Sequence, residues 1–160
     1  MKIDICFITS TPHLKSHAAL SNRHMALAHL VLQDKEYARF YKDTNKFVIM
    51  DNSAFEFEQE GRGVPQEEVY KAAKLIDADE VAAIDILFNG ADTVDSVKDF
   101  LRFMKRKDEI YFDTTNFRAI PQGRTGDEWL DCYEKLVTMD HISTICLLYT
   151  SDAADEWRSG

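Results

Sequence analysis

Residues 46–51 read KFVIMD and residues 80–85 read EVAAID. Each is a short apolar run ending on an acid, too short for a helix, so both read as buried parallel strands. A helical pattern lies between them. Pro65 suits its first turn, Glu67 and Glu68 favour the positive end of its dipole, and Val69, Ala72, Ala73 and Ile76 form one face. Strand, helix and strand joined by short loops make the repeating unit of a parallel sheet. Before this unit, Lys2–Ser10 (KIDICFITS) is β-rich, TPHLKSH is a polar loop, and Leu27, Leu30 and Val31 predict a helix from about Ser21 to Tyr41. After it, Val97, Phe100, Leu101 and Met104 predict a helix that closes on Lys105, Arg106 and Lys107. A strand follows in FRAIP (117–121). Thr125 with Glu128 then forms a capping box ahead of Trp129, Cys132, Tyr133 and Leu136 on one face, and a fifth strand begins at Ile142–Ile145.

The class is α/β, with two architectures open: a doubly wound sheet and a (β/α)8 TIM barrel. The first strand precedes neither G-x-G-x-x-G nor G-x-x-x-x-G-K, which removes the main support for the dinucleotide and P-loop forms of the open sheet. The chain has 160 residues, 45% hydrophobic, with Lys+Arg 19 against Asp+Glu 28. That suffices for one domain with a core and argues against a surface coated in phosphate-binding cations. No apolar run approaches the roughly 20 residues that span a bilayer. The N-terminus resembles no secretory signal, and Cys6, Cys132 and Cys146 are too widely spaced for a disulfide scaffold or a zinc site. A reduced, cytoplasmic setting is expected.

Residues 146–160, CLLYTSDAADEWRSG, match the peptide obtained when a common transposon-end sequencing adapter is translated in one frame. The expectation is a domain over 1–145 and a non-native, disordered tail over 146–160. A barrel needs roughly 200–250 residues, so 1–145 would supply the N-terminal half, about four to five βα units. An open half barrel would leave an unpaired strand edge and an uncovered apolar face, so association into a homodimer or aggregate is expected.

Polar residues gather at the C-terminal ends of the expected strands: Thr9-Ser10-Thr11, Asp51-Asn52-Ser53, Asp85 and Gln122-Gly123. In parallel α/β folds these ends line the active face. Two carboxylates on one pocket can divide into a proton-handling group and a hydrogen-bond acceptor, because their surroundings shift their pKa values apart. A glutamine amide donates and accepts along one edge, and a glycine permits close backbone approach. Taken singly, an acid at a strand end caps the following loop. Three such ends together favour a site.

The segments FVIMDNSAFE (47–56), EVAAIDILFNG (80–90) and AIPQGRTGDEWLDCYEKL (119–136) resemble the tRNA-guanine transglycosylase superfamily. The likeness is greatest to its divergent phage and bacterial branch, which is linked to 7-deazaguanine modification of nucleic acid. The family's Asp-Ser-Gly-Gly-Phe-Gln motif is matched by Asp51-Asn52-Ser53-Ala54-Phe55-Glu56, its base-recognising Asp by Asp85, and its Gln-Gly pair by Gln122-Gly123. The order and spacing agree over most of residues 2–145. Asn52-Ser53-Ala54 departs from Ser-Gly-Gly, and Glu56 replaces Gln.

The resemblance implies base exchange. An Asp attacks ribose C1′, guanine leaves tRNA or DNA, and a 7-deazaguanine takes its place. It implies a catalytic role for Asp51, in proton handling and base contact, with Asn52 and Ser53 beside it. Asp85 would hold the base's N–H edge, and Gln122 with Gly123 its carbonyl edge. The family's nucleophilic Asp and structural zinc site lie on later strands, beyond residue 145. No cofactor or metal ligand is therefore expected in this chain, which alone would be inactive.

The other reading is an unrelated TIM-barrel enzyme, or a small-molecule-binding α/β protein, whose strand-end carboxylates hold a cationic or amide ligand. His13 and His17, four apart, read as loop or substrate-rim residues rather than metal ligands, and His24 and His29 as surface or satisfied core. Cys6 and Cys132 read as core, and FEFEQEGRG (55–63) as an exposed loop or hairpin.

Overall fold

The computed structural model describes residues 5–147, and in them six strands alternate with helices. β1 (Cys6–Ile8) leads through a 3-10 turn at Thr11–His13 into α1 (Leu14–Ala18). β2 (Arg23–Leu27) is followed by α2 (Ala28–Gln33) and α3 (Lys35–Asp43), and β3 (Phe47–Asp51) by α4 (Ala54–Gln59) and α5 (Gln66–Ile76). β4 (Glu80–Ala82) leads to α6 (Gly90–Lys107) and α7 (Glu109–Thr114), and β5 (Asn116–Ala119) to α8 (Gly126–Val137) and β6 (Ile142–Ile145). The expected tail lies outside the described residues from 148 onward.

All neighbouring strands are parallel, and their order in the sheet is their order in the chain, β1 to β6. A doubly wound sheet reverses strand order at a switch point. This one does not.

One face of the sheet carries the core. Ala26, Val48, Met50, Val81, Ala83, Phe117 and Ala119 pack with residues of α2, α3, α5, α6, α7 and α8 in one apolar cluster. Because side chains alternate along a strand, the other face receives Arg23, Ile49, Glu80 and Arg118. There Arg23 lies over the Phe47 ring at 4.2 Å, and Arg118 pairs with Glu80 at 2.5 Å.

Four local expectations need correction. TPHLKSH, expected as a polar loop, is helical: the Thr11–His13 turn runs into α1, and buried Leu14 holds it against the core, so His13 and His17 stand on this helical stretch. The stretch expected to form one helix over 21–41 is a strand followed by two helices. Along β2 burial alternates, with His24 and Ala26 buried, and the strand gains a parallel neighbour on each side. Of the apparent helical stripe, Leu27 ends the strand and only Leu30 and Val31 belong to α2. The chain restarts at Asp34, whose side chain accepts from the N–H groups of Glu36 and Tyr37 and so begins α3. FEFEQ is helical, in α4, rather than a loop or hairpin, because buried Phe57 and the bond from its N–H to Ser53 O hold that turn. Cys6 is exposed rather than core, whereas Cys132 is buried.

Candidate functional site

The C-terminal ends of β3, β4 and β5 meet in one hydrogen-bonded cluster. Asn52 follows β3, and its amide donates to Asp85 Oδ1 at 2.8 Å and to the Ala83 carbonyl at 2.7 Å. Gln122 follows β5, and its amide donates to Asp85 Oδ2 at 2.5 Å. The other end of each amide is also used: Asn52 Oδ1 accepts from Ala54 N–H, and Gln122 Oε1 accepts from Phe88 N–H. Asp85 is only 3% exposed, and both its oxygens have donors. Burial pushes its pKa up, while the bonds from Asn52 and Gln122 pull it down. Asn52, Asp85 and Gln122 thus tie three neighbouring strands together where their ladders end.

Asp51 differs. It is the last residue of β3, it is half-buried, and its Oδ2 accepts from Ser53 N–H at 2.9 Å. Burial pushes its carboxyl up to about 6, with a further upward push from the charges of Asp85 and Glu56; the Ser53 bond and Arg118 oppose this. Its proton therefore exchanges near neutral pH, as general acid–base chemistry requires.

Ser53 is fully buried, with φ of 58° in the left-handed region that side chains avoid. Its hydroxyl meets His29 twice, at 3.3 Å from the backbone N and 3.0 Å from Nδ1. His29 stands two residues beyond β2 and is half-buried. Sequence reasoning passed over it because a continuous helix there hid the strand end that brings it to this face.

Phe88 was missed as well. Its φ is 60°, its side chain is 44% exposed, and its N–H is bonded to Gln122. No periodic pattern could have singled it out. A cleft of about 270 Å³ is lined by Asp85, Ile86 and Leu87 after β4 together with Ala54, Glu58 and Arg62; of the expected site residues Asp85 lines it, and Asp51, Asn52, Ser53, Gln122 and Gly123 do not. This is slightly below the roughly 300–1,000 Å³ of typical ligand pockets and suits one small ring system.

Gly123 has a packing reason of its own. A Cβ there would come 2.8 Å from Trp129 Cα, so the close approach at this glycine is made by the backbone of α8. The end of β1 is not drawn into the cluster by any bond described: Thr11 donates to Asp34 Oδ2 at 2.6 Å, and Thr9 Oγ1 lies 3.3 Å from His17 Nδ1. The rings of His13 and His17 stack at 5.7 Å. Among the described residues no three His, Cys, Asp or Glu side chains converge as a metal site, and no helix is long and apolar enough to cross a membrane.

No family model matches this chain, and no curated protein matches it. Function must therefore be argued from the cluster itself.

Proposed function

We propose that this chain is the base-holding half of a (β/α)8 barrel that exchanges guanine for a 7-deazaguanine in tRNA or DNA, as the resemblance to the transglycosylase superfamily implies. The observation that carries this reading is the convergence of Asp51, Asn52, Asp85 and Gln122 on three neighbouring strand ends, beside a cleft of about 270 Å³. A parallel sheet whose strands lie in chain order is the winding that such a barrel uses.

A carboxylate flanked by amides offers the donor and acceptor pattern of a purine edge. Both oxygens of Asp85 accept from its own neighbours, and because Asp85 is only 3% exposed a base reaches them by moving one amide aside. When the amide moved is that of Gln122, it turns to the base's carbonyl. Asp51 supplies and removes the proton on the departing and incoming bases. The nucleophile is an Asp on a strand beyond those described here. A cytoplasmic setting and tRNA or DNA as partner belong to the same proposal.

One observation favours a second reading. Saturated and 3% exposed, Asp85 has the character of a structural latch between β3, β4 and β5. In that case Asp51 is the carboxylate left to meet a ligand at the strand ends, and the protein binds a small cationic or amide molecule.

Asp85→Asn separates the two. Calorimetric titration of the 160-residue chain with guanine and with 7-deazaguanine should show binding that the substitution abolishes while the thermal transition survives. Equal binding by both forms would sink the base-exchange reading.

A further inference from the structure

Three features compete for a role beyond the cluster already described: the groove between α1 and α3, the buried Arg118–Glu80 pair, and the contact between His29 and Ser53. Nothing indicates what would fill the first, and the second is internally neutral. The third reaches the reacting carboxyl.

We infer that His29 is a positioning residue: through Ser53 it holds the turn that presents an N–H group to the Asp51 carboxylate. The inference rests on the reading of Asp51 as the proton-handling group. The chain of contacts is continuous. His29 N–H and Nδ1 both meet Ser53 Oγ, at 3.3 and 3.0 Å, and Ser53 N–H donates to Asp51 Oδ2 at 2.9 Å.

A serine hydroxyl has one proton to give and two lone pairs to receive, so Ser53 Oγ can accept from the His29 backbone N–H and still bond Nδ1.

Something must hold Ser53, because a non-glycine residue in the left-handed region costs of order 1–3 kcal/mol and persists only where its surroundings impose it. Ser53 is also completely buried, so water cannot substitute for His29. The charged or titratable groups bearing on Asp51 from the surrounding elements are Glu56 of α4, Asp85 after β4, Arg118 of β5, Tyr37 of α3 and Cys146 after β6.

The test is the titration midpoint of Asp51, followed by carbon NMR of the labelled full chain in three variants. His29→Leu removes the ring nitrogen that meets Ser53 Oγ, and the midpoint should rise by about one unit as the Ser53 N–H drifts away. His29→Asn keeps an amide that can donate to or accept from the Ser53 hydroxyl and should restore the wild-type midpoint. Ser53→Ala, which keeps the turn's bulk but not its hydroxyl, should behave like His29→Leu and carries the test if that variant does not fold. An unchanged midpoint in His29→Leu or in Ser53→Ala overturns the inference, as does His29→Asn shifting as far as His29→Leu. None of these readings uses base binding, so the inference can fail while the base-exchange reading stands, and the reverse.

Discussion

Replacing Asp51 by Asn should make this protein more stable at pH 8 and leave it nearly unchanged at pH 4. In the folded chain the Asp51 carboxyl is pushed from its ordinary 3.8 up to about 6, chiefly by burial. The folded state therefore binds this proton more tightly than the unfolded state does. The stability it contributes is complete below about pH 3.8 and is lost as the pH rises through about 6. Above that, folding carries a partly buried, uncompensated charge. A shift of about two units corresponds to about 3 kcal/mol, and because Asp51 is only half-buried, solvent screening reduces the expected figure to about 1–2 kcal/mol. Asparagine removes the charge and keeps an oxygen for the Ser53 N–H, which lies 2.9 Å from the present carboxylate. Urea unfolding of both proteins at pH 4, 6 and 8, followed by tryptophan fluorescence, measures the difference directly. A gain of the same size at every pH would refute the argument, since an uncharged cause does not titrate. A loss of stability at pH 8 would refute it more strongly, by showing the ionised carboxylate to be a net stabiliser.

Gly123→Ala should destabilise the fold by about 2–3 kcal/mol, because the added methyl meets the backbone of α8, which cannot rotate away as a side chain would; thermal unfolding checks this. Glu80→Ala should cost about 3 kcal/mol or more, by stranding Arg118 with its side chain only 14% exposed. Replacing both partners by Met should recover most of that loss, and a double-mutant cycle in which the pair costs as much as the single change would contradict the account.

Where burial follows a short period, the sequence declared the structure. KFVIMD and EVAAI are buried on both faces, so nothing in their pattern competes with a strand. The helices over 66–76, 90–107 and 126–137 carry apolar faces within single segments, and the last two also a side-chain cap from Asn89 and Thr125, which local reading can collect. β2 was illegible for the opposite reason. RHMAL holds few strand-forming residues, and what makes it a strand is pairing with β1 and β3, both distant in the chain.

The candidate site divides the same way. Asp51, Asn52, Asp85 and Gln122 announced themselves as polar residues at the ends of apolar runs, a property of the chain alone. Their bonding did not. That both Asp85 oxygens are taken by Asn52 and Gln122, that Gly123 yields to α8, and that His29 grips Ser53 from 24 residues away depend on which strands lie side by side. Periodicity is written over a few residues and survives in the sequence. Contacts between residues 24 to 37 positions apart depend on the order and register of the strands, which no local pattern encodes.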